Sequence, residues 1–138
     1  MKQKIQAYTA NTEIAAVTHD PVFGEYGRLI FPVEKGYYGG KTLGELRMAW
    51  YSNIDPEKTV EIVNYMKEHA EAGDTIFYDI YSEEEKKKDP GKRNTGLFFF
   101  QGMPGEKFAV CNAGGSAGAR MAAWLWAWNG HICGRMDR

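Results

Sequence analysis

A chain of 138 residues is one domain by length, able to bury a sizeable core but less completely than a full-size enzyme. Its 17 basic and 18 acidic residues leave a formal net charge of −1, which excludes a general electrostatic attraction to nucleic acid or to an anionic membrane. No run is long and apolar enough to span a bilayer and the first residues carry no apolar signal region, so the expected compartment is the cytoplasm. There, Cys111 and Cys133 are expected as free thiols or metal ligands before a disulfide.

Residues 1–10 read as a loose arm. Asn11 or Thr12 can cap a short helix carrying Ile14, Ala15, Ala16 and Val17, which Pro21 and the polar residues before it end. A turn at 23–27 precedes the apolar Leu29, Ile30 and Phe31, and the glycines between 36 and 40 argue for a loop. Thr42 can cap a second short helix with Leu43, Leu46, Met48, Ala49 and Trp50. Asp55, Pro56 and Glu57 are the clearest helix start: a cap, a proline at the first position and an acid in the first turn. That helix runs to about Ala72 with Val60, Val63, Met66 and Ala70 on one stripe, widened by Ile62 and Tyr65, and Gly73 closes it.

The β-branched and aromatic residues of 75–81 predict a strand. Residues 82–94 hold three glutamates followed by three lysines, then Asp89, Pro90 and Gly91, and read as a solvated connection with room for one helical turn. Residues 96–101 and 107–112 predict two more strands, joined by a tight turn at 103–105. Three sequential strands of this kind predict an antiparallel meander.

Residues 107–125 carry the chemistry. Phe108, Ala109, Val110 and Cys111 make a buried-strand run, Gly114 to Gly118 fit G-x-S-x-G, and 119–128 reads as an apolar helix. Strand, glycine turn with a central Ser116, then helix is the setting of a nucleophile elbow, where the turn lifts the hydroxyl clear of the sheet. The bland alternative is a serine that caps the helix start.

On these residues the chain resembles bacterial α/β-hydrolases of the acetyl-esterase and dienelactone-hydrolase type. Residues 94–102 and 107–115 resemble the early strands and oxyanion loop of that family, and 114–125 resembles its elbow. The resemblance covers 11–125 of what reads as a single domain, and 126–138 is a tail unlike the family. In the family the two motifs lie far apart, whereas here they share Gly114 and Gly115, as though an internal segment and the C-terminal half had been lost. The resemblance implies an α/β fold: a small sheet from the N-terminal half of such a hydrolase, with helices packed on it and completed by oligomerisation. It also implies an oxyanion-type turn at Asn112, Gly115 and Ser116.

A serine nucleophile needs a base and an orienting acid, which follow the elbow in the order Asp, His in that family. After Ser116 only His131 and Asp137 are available, in the opposite order and in foreign sequence. His131 and Cys133, two apart in an extended segment, project to one side and can share one ion with Asp137 or Cys111. Imidazole and thiolate donors suit zinc. The spacing is no zinc-finger signature, and an ordinary histidine and cysteine in a solvated tail is the alternative. His19 beside Asp20 and His69 near Glu68 and Glu71 read as a helix-end pair and a solvent-facing side chain.

Trp124, Trp126 and Trp128 make the last helix apolar nearly all round, more than a three-stranded monomer covers, so a homodimer or larger assembly is expected. Three functions compete. The first is a small hydrolase of activated esters or phosphoesters in which a metal-bound water attacks; the second is a serine esterase using Ser116 with His131; the third is a non-catalytic oligomeric fragment.

Overall fold

A computed structural model describes residues 6–31, 40–46, 55–101, 104, 105 and 110. The chain begins there with Tyr8, which is buried, and α1, Ile14–Thr18. A 3₁₀ helix, Pro21–Tyr26, and α2, Gly27–Ile30, follow directly. Asp20 starts this second segment, its Oδ1 accepting the Val22 N–H at 3.0 Å. Gly27 packs so closely on α1 that a Cβ would run into the Thr18 carbonyl oxygen.

A short 3₁₀ helix, Leu43–Glu45, is lashed to the start of α1. The Ile14 N–H donates to the Lys41 carbonyl at 2.9 Å and the Leu43 N–H to the Thr12 carbonyl at 2.9 Å, across an antiparallel bridge between Glu13 and Thr42. The Glu45 carboxylate reaches back to accept the Lys41 and Thr42 N–H groups. The expected continuation through Met48, Ala49 and Trp50 lies outside the described residues.

The longest helix among the described residues, α3, Pro56–Ala72, follows the predicted signals at both ends. Asp55 Oδ1 accepts the Glu57 and Lys58 N–H groups at 2.9 and 3.2 Å, filling donors that a helix start leaves open. Gly73 closes it at φ 89°, a left-handed conformation that a side chain would strain. Thr59, Val63 and Met66 form its buried stripe, and the Thr59 hydroxyl is satisfied by donating to the Asp55 carbonyl at 2.8 Å.

Phe23, Ile30, Phe31, Leu43, Val17, Val63 and Met66 are the largest fully buried side chains among the described residues, so the core lies among α1, α2, the two 3₁₀ helices and α3. The sheet joins this helical core from one side. Strands β1, Phe77–Asp79, and β2, Gly96–Phe98, pair antiparallel with Phe77 opposite Phe98, Tyr78 opposite Leu97 and Asp79 opposite Gly96. Their inner residues reach the core through Tyr26, whose ring stacks on Phe77 at 5.3 Å and meets Phe98 edge-on at 5.8 Å. Gly96 leaves room for the Phe77 ring, which occupies the space a Cβ would take.

The two strands meet as the meander requires, though each is shorter than its apolar run. Of the third predicted strand only Val110 is described. The connection between β1 and β2 holds more structure than one turn: α4, Glu83–Lys88, capped by Ser82 with Glu85 closing a capping box, then a 3₁₀ helix, Pro90–Asn94. No helix among the described residues is long and apolar enough to cross a membrane.

Candidate functional site

Asn112, Gly115 and Ser116, and the tail residues His131, Cys133 and Asp137 with Cys111, lie outside the described residues. The described residues place the other sequence candidates. His19 caps the end of α1, its Nδ1 2.9 Å from the Ala15 carbonyl oxygen. That oxygen can only accept, so Nδ1 is the donor in this contact. Asp20 does not turn toward His19. Its Oδ2 accepts the Tyr8 hydroxyl at 2.5 Å and the Lys67 ammonium at 3.1 Å, while Lys67 also sits over the Tyr8 ring at 4.4 Å. His69 pairs with Asp74 at 2.6 Å and stacks beside Tyr65, centroids 4.1 Å apart. Among the described residues no three His, Cys, Asp or Glu side chains converge to hold a metal.

The Tyr8, Asp20 and Lys67 cluster is a clasp between the chain start and α3. Asn64 completes it, accepting the Tyr8 N–H at 2.7 Å and donating to the Tyr8 carbonyl at 2.9 Å. The arm read as loose is thus pinned at Tyr8 by side chains 56 residues away, a pairing that no local pattern signals. Burial, reinforced by the neighbouring Asp20 carboxylate, pushes the Tyr8 hydroxyl well above its ordinary pKa, so it stays a donor. Burial also raises Asp20, but hydrogen bonds from Tyr8, the Val22 N–H and Lys67 outweigh it and hold the carboxyl below its ordinary value.

Beside this clasp opens a shallow cleft of about 680 Å³ between the end of α1, α2 and the Pro90–Asn94 turn. Arg28, Arg93, His19, Glu25 and Asn94 line it. The Arg28 guanidinium is held in place by donating to Asn94 Oδ1 and, at 2.8 Å, to the Arg93 carbonyl oxygen. Arg28 and Arg93 lie 65 positions apart in sequence, Arg28 isolated from other basic residues and Arg93 directly after Lys92.

No family model, curated protein or solved structure matches the chain.

Proposed function

We propose that this protein is a small cytoplasmic hydrolase of activated esters or phosphoesters that uses a divalent metal, zinc first, to activate water. The observation that carries the reading is the sequence from 107 to 125, whose residues read as a strand, a glycine turn with Asn112, Gly115 and Ser116, and a helix start, in the order the resembled hydrolases use. Free N–H groups at such a turn can stabilise a developing oxyanion whichever nucleophile attacks. Ser116 lacks the acid and histidine that should follow it, which favours water over the hydroxyl as nucleophile. His131 and Cys133 supply donors of the type zinc prefers, with Asp137 or Cys111 as a third. A bound divalent ion would lower the pKa of a water to about 7 and polarise the ester oxygen.

Elemental analysis of the purified protein, with an ester and phosphoester panel before and after EDTA, tests this. Loss of turnover in EDTA and its return with zinc is the expected result. Labelling of Ser116 by an organophosphate, with turnover indifferent to EDTA, would establish the serine esterase in its place.

A second reading, a non-catalytic oligomeric subunit, is favoured by one specific observation. The outer side of the β1–β2 ribbon presents Tyr78, Leu97 and Phe99, each about half exposed, with Ile80 beside them. Contiguous apolar surface of this kind marks an interaction face.

A further inference from the structure

We propose that the cleft between α1, α2 and the Pro90–Asn94 turn binds the phosphate group of a small phosphorylated molecule. The inference goes beyond the hydrolase reading and uses none of its residues.

The charge balance around the cleft is the starting point. Acidic side chains on the neighbouring α4 are taken up by lysines: Lys86 bridges Asp79 at 2.7 Å and Glu83 at 2.9 Å, and Lys92 lies 3.7 Å from Glu85. Neither Arg28 nor Arg93 forms an ion pair among the described residues. Arg28 spends two of its five N–H donors on neutral acceptors, Asn94 and the Arg93 carbonyl, so its position is fixed without an ion pair. Arg93 makes no side-chain hydrogen bond among the described residues, leaving its whole donor fork available.

Two guanidiniums from separate elements therefore line one concave surface, with His19 on its wall. A planar fork matches pairs of phosphate oxygens, and two forks approaching from different elements suit a tetrahedral group better than a flat carboxylate. Glu25 is the one carboxylate in the lining; Asp79 and Glu83 share an adjoining hollow with both arginines, and Lys86 and then Arg93 help hold Glu83 ionised, yet none of these carboxylates forms an ion pair with Arg28 or Arg93. Both arginines are exposed, so binding is expected in the millimolar range and to weaken with added salt.

The test is a titration of the full-length, isotope-labelled chain with inorganic phosphate at constant ionic strength, read by amide NMR shifts, with acetate as a parallel arm. Saturable shifts confined to His19, Arg28, Arg93 and Asn94 are expected with phosphate and not with acetate. Arg93→Gln should weaken binding about tenfold, which corresponds to 1.4 kcal/mol of charge-assisted bonding, while Arg93→Lys keeps part of it. Glu25→Gln should tighten it. Arg93 is exposed, so an unchanged spectrum before titration certifies the variant's fold. Shifts that never saturate, or that survive Arg93→Gln, overturn the proposal, and equal saturation by acetate overturns its assignment to phosphate. Turnover enters none of these readouts, so the outcome is independent of whether the chain proves to be a hydrolase.

Discussion

The Lys86 ammonium, only 8% exposed, lies 2.7 Å from the carboxylate of Asp79, the last residue of β1. In a run of three glutamates and three lysines it is the one charge turned inward, and it ties α4 to the ribbon. The hydrogen bonds it donates to Asp79 and then Glu83 raise its pKa, so it is charged throughout the neutral range. A double-mutant cycle over Lys86→Ala and Asp79→Ala, measured by urea unfolding, should return a clear favourable coupling. Lys58 and Glu61, also 2.7 Å apart but with both side chains about half exposed, should return only about 0.3–0.5 kcal/mol, as exposed helix pairs do.

Met66 is fully buried where α3 meets the core. Truncation to alanine removes its contacts and leaves a cavity, a loss of about 2–5 kcal/mol for buried aliphatic side chains of this size. For a domain this small that is a large share of total stability. Met66→Ala is therefore expected to unfold at markedly lower urea than Asp55→Ala, which removes one cap and costs about 1 kcal/mol. Equal midpoints for the two variants would show that α3 does not carry the core.

What was legible in the sequence divides along one physical line. Asp55, Pro56 and Gly73 act within a few residues of themselves, so the ends of α3 follow from local rules. The β-branched and aromatic content of 75–81 and the apolar run of 96–101 likewise mark the two strands that pair as β1 and β2. Lys86 could not be picked out, because every residue from Glu83 to Lys88 looks equally solvated until Asp79 is placed beside it. The cap of α1 was misread for a similar reason: Glu13 holds that position without a side-chain bond, while Thr12 turns its hydroxyl back to accept the Thr9 N–H at 2.8 Å. The cleft was invisible because Arg28 and Arg93 meet only through the tertiary fold. The predicted elbow and tail ligands fall at 112–137, outside the described residues, and remain the sequence's own proposal.

Asp20 gives the clasp a pH signature. Its pKa in the folded protein lies below the ordinary carboxyl value near 3.9, so its stabilisation is complete above that value and is lost as pH falls through the folded pKa. Asp20→Asn should therefore cost most stability at neutral pH and progressively less in acid. Thermal unfolding of both proteins from pH 7 down to pH 3 checks the sign, and a gap that widened in acid would contradict it. Tyr8→Phe should shrink the same gap, since its hydroxyl is one of the donors holding Asp20 ionised.

If water is the nucleophile, Ser116→Ala retains much of the hydrolytic rate, whereas His131→Ala and Cys133→Ala lose metal and rate together. The affinity for metal should also fall in mild acid, where thiol and imidazole protonate. Metal quantitation beside rate measurement on the three variants decides this. Full metal content and full rate in both tail variants would move the site elsewhere.

The outer ribbon face leads to the last prediction. Tyr78 and Leu97 sit directly opposite each other, and Phe99 meets Tyr78 edge-on at 6.1 Å, so three half-exposed apolar side chains form one patch. Their inner neighbours Phe77 and Phe98 are already engaged with Tyr26, which leaves this side of the ribbon available to a partner. Self-association is the expected outcome, given also the tryptophans at 124, 126 and 128. Light scattering should find a dimer or larger species at micromolar concentration. Leu97→Lys places a charge at the centre of the patch without touching the core, so it should weaken association while leaving the monomer's helical signal intact. Trp124→Asp should also dissociate or unfold the assembly if the tryptophan segment takes part. A stable monomer at micromolar concentration, or an assembly indifferent to Leu97→Lys, would show that the ribbon face is not the contact.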